Sequence, residues 1–118
     1  MPAVDLDILS WPEIEAEIEA QIKAGRDTVV MALGATEQHG RHMAIATDAL
    51  IGDHLGRAVA ERLDAFLAPT LRVGCSEHHV GFAGTMSLNE GTYHEIVGDL
   101  VRSSSCSSRS TSARAASS

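Results

Sequence analysis

A short, uninterrupted apolar run, TVVMAL at residues 28–33, constrains the fold of this chain more than any other feature. A run of this length without polar alternation is typical of a strand that is covered on both faces, as in a parallel sheet flanked by helices. Gly34 ends the run, and a second, weaker strand pattern covers residues 66–73. Pro69 lies within that second pattern and argues against a central paired position there, because proline has no N–H to donate.

Three helical patterns alternate with the two strand patterns. The first begins with capping-box spacing from Ser10 to Glu13 and ends at Gly25, and Asn89 can cap the third. Apolar residues at helical spacing mark the three helices: Trp11, Ile14, Ile18 and Ile22; then Ile51, Leu55, Val59 and Leu63; then Tyr93, Ile96, Val97, Leu100 and Val101. The order α-β-α-β-α predicts an α/β fold with a parallel sheet. Two strands are too few for a self-sufficient parallel sheet, so we expect an incomplete fold.

The C-terminal segment, residues 103–118, has a different composition from residues 1–102. Nine of its sixteen residues are serine, and it contains no Leu, Ile, Val, Met or aromatic residue. Such a segment can bury almost no apolar surface. We therefore predict an α/β domain over residues 1–102 and a Ser-rich, disordered tail over residues 103–118.

The charge balance and the cysteine content argue against several classes of protein. With 9 basic and 16 acidic residues, the net charge is −7, which argues against a nucleic-acid partner. No apolar run approaches the roughly 20 residues that span a membrane, and no secretory signal is visible at the N-terminus. Two cysteines make neither a disulfide framework nor a zinc ribbon, so we expect a cytoplasmic, reducing setting.

A dense polar cluster follows the first predicted strand and contains Glu37, His39 and Asp48. In open α/β sheets, ligands bind beyond the carboxyl ends of the strands, where this cluster lies. Two carboxylates and an imidazole form a suitable ligand set for Zn²⁺ or Mn²⁺. The alternative is that these are solvated or helix-capping residues, since Asp48 is a good N-cap in its own right.

A second cluster, residues 74–85, follows the second predicted strand and is rich in glycine and histidine. It lies at the same end of the sheet, and its glycines allow a close backbone approach to a ligand. The alternative is a mobile surface loop with incidental histidines. Cys75 is expected to be a buried structural thiol, and His54 and His94 are expected at helix surfaces.

The two clusters together resemble the creatininase family of metal-dependent amidohydrolases. Residues 37–42 read EQHGRH and are followed by Thr47 and Asp48, similar to the family's Glu-Gln-His-Gly-Pro-His and later Thr-Asp. Residues 79–88 read HVGFAGTMSL, similar to the family's His-x-x-Phe-Pro-Gly-Thr-x-Ser-Leu. The resemblance covers roughly residues 10–102, nearly all of the patterned chain.

The resemblance implies a three-layer α/β/α sandwich, often assembled into homo-oligomers, with a binuclear Zn²⁺ or Mn²⁺ site. Glu37 would bind one metal, His39 the other, and Asp48 would bridge them. A metal-activated water would then hydrolyse a non-peptide or cyclic C–N amide bond of a small-molecule substrate. From the second motif we take four candidate substrate-binding residues: His79, Phe82, Gly84 and Thr85.

The sequence departs from the family pattern at three places. Arg41 and Ala83 replace prolines, which alters the rigidity of the loops more than the ligand chemistry. The family's later Asn-Gly-His-Gly-Gly-Asn motif, which completes the metal ligands, is not in this sequence. We therefore expect a truncated relative that lacks part of the metal site. Two alternatives to the hydrolase function remain: the chain is a non-catalytic truncated fragment, or it is a small acidic metal-binding module.

Overall fold

The structure, a computed structural model, describes residues 3–117, with side chains as far as residue 104. Its helices are α1 (Trp11–Lys23), α2 (Thr47–Leu63) and α3 (Glu90–Ser117). Its short strands are β1 (Val4–Asp5), β2 (Val29–Val30) and β3 (Phe66–Leu67). Single turns of 3₁₀ helix lie at Leu6–Ile8 and Glu77–His79.

The three strands form one parallel sheet in the order β1-β3-β2. The chain crosses the sheet in one direction from β1 through α1 to β2, and returns in the other direction through α2 to β3. Because such crossovers are right-handed, these two connections place α1 and α2 on opposite faces of the sheet. Accordingly, α1 packs against α3, whereas α2 packs against β2 and β3. The predicted α/β architecture is confirmed.

The sheet has one more strand than the sequence predicts. Its central strand is β3, which forms the first part of the predicted strand pattern at residues 66–73 that contains Pro69. β1 is only two residues long, too short for any alternation to show in the sequence. Pairing of β3 with β1 ends at Leu67, so the missing N–H of Pro69 lies beyond it. On the other side, the N–H groups of Ala68 and Leu71 donate to carbonyls of the β2 segment, at 2.9 and 3.0 Å. Pro69 therefore interrupts the ladder without excluding β3 from the centre.

The predicted helix ends of α1 and α3 are confirmed. The backbone N–H of Ser10 donates to Oε2 of Glu13 at 3.0 Å, as expected for a capping box. Beyond α1, Gly25 adopts φ +77°, a left-handed conformation that favours glycine. At the start of α3, Oδ1 of Asn89 accepts a hydrogen bond from the N–H of Gly91 at 2.9 Å.

The apolar stripe that predicts α2 is not the face that packs against the sheet. The four stripe residues are about half exposed: Ile51 51%, Leu55 56%, Val59 46% and Leu63 53%. The buried face consists of small residues, Ala49, Gly56 and Ala60. A Cβ on Gly56 would lie 3.3 Å from Cβ of Ala32, so small residues let the helix approach the strand closely.

The helix α3 continues to Ser117, and the disorder expected for residues 103–118 stays a prediction. The hydroxyls of Ser103 and Ser104 donate to the carbonyls of Asp99 and Leu100, at 2.8 and 2.9 Å. Such bonds to the preceding turn let serine be accommodated in a helix. Ser118 lies outside the described residues, and the division of the chain at residue 102 stays a prediction.

Within the described residues, no helix combines the length and the apolar character that crossing a bilayer would need.

The ion pair between Asp53 on α2 and Arg72 beyond β3 predicts that the stability of the fold depends on pH. Hydrogen bonds from Thr70 and then Arg72 hold the pKa of Asp53 below its ordinary value of 3.8. Ionised Asp53 therefore stabilises the fold at neutral pH, and this contribution is lost as the pH falls through the folded-state pKa. Since Asp53 and Arg72 are each 45% exposed, Asp53→Asn is expected to lose at most about 1 kcal/mol at neutral pH. Urea unfolding at several pH values checks this, and a difference from the parent that widens on acidification would contradict it.

Candidate metal centre

The two polar clusters meet beyond the carboxyl ends of β2 and β3. After β2 the chain continues into α2 on one face, and after β3 it continues into α3 on the other face. Neighbouring strands whose connections diverge in this way leave a crevice, the usual ligand site of an open α/β sheet. The N–H of Met86 donates to the carbonyl of Thr36 at 2.9 Å and joins the two loops across this crevice.

Glu37, His39 and Asp48, here termed the first ligand group, converge in this crevice. One ligand atom from each lies within 4.8 Å of the others, and all three residues are half-buried. Nε2 of His39 lies 3.3 Å from Oδ1 of Asp48. Asp48 is not the N-cap of α2, since Ala46 holds that position and Asp48 falls in the first turn.

The two ring nitrogens of His39 have different neighbours. Nδ1 of His39 lies 3.2 Å from the backbone carbonyl of Glu37. A carbonyl oxygen can only accept, so in the neutral ring the proton is on Nδ1. The lone pair is then on Nε2, the nitrogen that faces Asp48. A backbone carbonyl that fixes the tautomer of a histidine in this way is a common arrangement around metal ligands.

A glycine beyond β2, next to the isolated bridge between Leu33 and Leu71, positions Asp48. A Cβ on Gly34 would lie only 2.7 Å from Cα of Ala49, which real contacts essentially never show. The N–H of Gly34 also donates to the carbonyl of Leu71 at 2.8 Å, which fixes this end of the strand. The first turn of α2, and with it Asp48, therefore lies directly against the backbone of Gly34.

Ser76 lowers the pKa of the Glu37 carboxyl group. The pKa of Glu37 lies below its ordinary value, first because the Ser76 side chain hydrogen-bonds to the carboxylate. Partial burial opposes this shift, while the nearby His79 and His78 add to it. Ser76 itself is 1% exposed, and its N–H donates to Oγ of Ser87 at 2.8 Å.

The side chain and backbone of Gln38 link the two loops. Its N–H donates to Oγ1 of Thr85 at 3.0 Å, and its Oε1 accepts the N–H of Gly40 at 3.0 Å. Because Oε1 is used in this way, the amide nitrogen faces His79, with Nε2 2.9 Å from Nδ1 of that ring. Nδ1 of His79 therefore accepts this hydrogen bond.

Glu37, His78 and His79, here termed the second ligand group, also place ligand atoms within 4.8 Å of one another. The two imidazole rings have centroids 3.9 Å apart, and His78 is exposed. Our sequence reasoning did not assign ligand roles to His78 or Ser76. The pair of adjacent histidines in the sequence could have indicated a ligand role for His78. Nothing in the sequence pattern distinguishes Ser76 from other loop serines.

The four predicted substrate-binding residues lie on the second loop. Phe82 is 56% exposed, and its ring meets His79 edge-on at 6.3 Å between centroids. Gly84 adopts φ +83°, which favours glycine. Oγ1 of Thr85 accepts a hydrogen bond from Gln38, so Thr85 shapes the first loop. Whether these residues contact a substrate stays a prediction.

Cys75 is exposed, so the expectation of a buried structural thiol was wrong. Cys75 lies on the loop beyond β3, where its side chain faces a surface cavity lined also by Tyr93 and His94. His54 and His94 are exposed on α2 and α3, as expected for helix-surface histidines.

The chemistry of the first ligand group fits a divalent metal ion. It offers two carboxylates and an imidazole whose Nε2 faces Asp48, and catalytic zinc sites commonly use three protein ligands of these types. The same donors also suit manganese.

Comparison with known proteins adds independent findings. The family model described as "Creatininase: Creatinine amidohydrolase" matches residues 8–107. The mycofactocin precursor peptide peptidase of Mycobacterium ulcerans (strain Agy99) is 32% identical over 103 residues, covering 80% of this chain and 41% of that protein. The creatinine amidohydrolase of Pseudomonas putida is 36% identical over 99 residues, covering 80% of this chain and 36% of that protein.

Solved structures of creatininase superpose on the chain. A structure titled as the Mn form is 33% identical with a TM-score of 0.76, and covers 89% of this chain and 41% of its own. A Zn–Zn form of a creatininase mutant is 32% identical with a TM-score of 0.75, and covers 91% of this chain and 42% of its own. The chain thus spans less than half the length of the relatives that it matches.

Proposed function

The chain belongs to the creatininase family, and from this premise we propose that it is a metal-dependent amidohydrolase. The proposed reaction is hydrolysis of a non-peptide or cyclic C–N amide bond, with Zn²⁺ or Mn²⁺ as the cofactor. The observation that carries this proposal is the first ligand group, in which Glu37, His39 and Asp48 each place one ligand atom within 4.8 Å of the others.

Each residue of the first ligand group has a distinct role in the proposal. Glu37 and Asp48 supply anionic oxygens, and His39 supplies the neutral nitrogen that its bond to the Glu37 carbonyl prepares. The hydrogen bond from Ser76 lowers the pKa of Glu37, which favours the carboxylate form that binds a cation. A metal bound to these residues would polarise the substrate carbonyl and activate a water for attack.

The second loop supplies the surface that we propose for the substrate. Phe82 exposes an apolar ring next to His79, so it can pack against a small planar amide. Gly84 and Thr85 hold this loop against the first one through the bond between Thr85 and Gln38. The names of the relatives, a creatinine amidohydrolase and a precursor peptide peptidase, suggest testing both a cyclic amide and a peptide.

Turnover with added metal tests the proposal. The purified full chain, loaded with Zn²⁺ or Mn²⁺, is expected to hydrolyse at least one substrate from a panel of creatinine, small lactams and formamides, with short peptides tested for comparison. His39→Ala should abolish that turnover, whereas His42→Ala, an exposed histidine of the same loop outside both ligand groups, should retain it. Metal binding without turnover on the whole panel would overturn the hydrolase proposal and leave a metal-binding module.

A further inference from the structure

We propose that His79 donates a hydrogen bond to the substrate carbonyl oxygen, and that Gln38 is the positioning residue that holds the proton of His79 on Nε2. This role rests on the proposed function, because it belongs to the same hydrolytic reaction. The resemblance implies only that His79 is a candidate substrate-binding residue, without naming the atom that binds or the chemistry that it performs.

The hydrogen bonds of Gln38 assign the oxygen and the nitrogen of its side-chain amide. Its Oε1 accepts the N–H of Gly40 at 3.0 Å, and its own backbone N–H donates to Oγ1 of Thr85 at 3.0 Å. The amide nitrogen, which can only donate, then lies 2.9 Å from Nδ1 of His79. Because Nδ1 accepts this hydrogen bond, the neutral ring of His79 carries its proton on Nε2.

The ring of His79 lies at the crevice where the metal and the substrate are proposed to bind. One of its nitrogens lies within 4.8 Å of a carboxylate oxygen of Glu37. On another side, the ring meets Phe82 edge-on, with 6.3 Å between centroids. A substrate that contacts both Phe82 and a metal at the first ligand group therefore lies beside His79, which is half-buried there.

A neutral imidazole N–H suits the charge that develops during hydrolysis of an amide. When water attacks the amide carbon, the carbonyl oxygen gains negative charge, and a donor already placed beside it stabilises that charge. His79 keeps its proton throughout, so this role requires no proton transfer. Without the bond from Gln38, the proton could move to Nδ1, and Nε2 would turn a repulsive lone pair toward the oxygen.

The same contact with Gln38 opposes direct metal binding by His79. A metal binds an imidazole nitrogen that carries no proton. Nε2 of the neutral ring is protonated, and the lone pair of Nδ1 already accepts the bond from Gln38. The position of the ring next to Glu37 is therefore better explained by donation to a substrate than by ligation.

Nitrogen-15 NMR of the histidine rings in the metal-free full chain tests where the proton lies. We expect the proton of neutral His79 on Nε2. Gln38→Met keeps the length of the side chain but has no N–H donor, so both tautomers of His79 should be populated. His54, exposed on α2, is the internal control and should be unchanged. A proton on Nδ1 of His79 in the parent chain, or a metal bound to His79 after addition of Zn²⁺, would overturn the inference.

Kinetics of the metal-loaded chain test the donor role itself. His79→Phe keeps a ring without a donor and should lower kcat by about 10²- to 10³-fold, the usual cost of one lost oxyanion donor. His79→Gln places an amide N–H₂ group near the position of Nε2 and should stay at least about tenfold faster than His79→Phe. Gln38→Met should lower kcat more than it changes KM, since the donor acts in the transition state.

The outcomes separate this inference from the proposed function. Equal losses in His79→Phe and His79→Gln, or parent activity in His79→Phe, would overturn the donor role while leaving the hydrolase intact. A parent chain that binds Zn²⁺ and turns over nothing would overturn the proposed function and the donor role together. Far-UV circular dichroism of each variant checks that the fold is kept.

Discussion

Replacing Asp48 by asparagine is expected to lower the metal affinity of the first ligand group by at least about 100-fold and to abolish metal-dependent hydrolysis. Asparagine keeps the shape of the side chain but removes the charge that faces Nε2 of His39 at 3.3 Å. The affinity is measured by competition with a chromophoric chelator, and hydrolysis by product formation from the best substrate of the panel.

Asp53→Asn provides a matched control for this substitution. Asp53 lies on the same helix, is also a carboxylate, and pairs with Arg72 at 2.8 Å outside both ligand groups. Its replacement should cost a small amount of stability and leave metal affinity unchanged. Equal losses of affinity in the two variants would mean that net charge, and not ligation by Asp48, holds the metal.

Replacing Gly34 by alanine is expected to destabilise the fold by about 1–3 kcal/mol, because an inserted methyl group must displace well-packed neighbours. The added Cβ would lie 2.7 Å from Cα of Ala49, which is fully buried. The helix has to move away from the strand, and Asp48 moves with it. For a domain of this size each kcal/mol lowers Tm by roughly 4–8 °C. Metal affinity should fall in the same variant.

Gly81→Ala is the control for this second prediction. A Cβ at Gly81 would meet no atom within 4 Å, and the residue lies on the second loop away from the strand ends. Its Tm should match that of the parent chain. A Gly34→Ala variant as stable as Gly81→Ala would show that α2 does not need its close approach to β2.

The sequence was sufficient to predict the layout of the site because the site depends on local patterns. The apolar run at residues 28–33 and the two loops that follow the strands could be recognised without any tertiary contact. The open-sheet rule then placed both loops at one edge, and the structure brings Glu37, His39 and Asp48 together there.

The features that the sequence did not reveal depend on contacts between distant segments. β1 exists only because Val4 and Asp5 lie beside Phe66 and Leu67, some 60 residues away. The packing face of α2 is made of small residues, which look unimportant in a sequence until Ala32 is known to lie beneath them. The role of Ser76 likewise follows from its hydrogen bond to Glu37, which spacing along the chain does not indicate.

The most direct test of the account is the position of a metal in a crystal of the full chain grown with Zn²⁺. An anomalous difference map recorded at the zinc edge is predicted to show a peak about 2.0–2.2 Å from Nε2 of His39 and from carboxylate oxygens of Glu37 and Asp48. A zinc-saturated crystal with no peak among these three side chains would contradict the account.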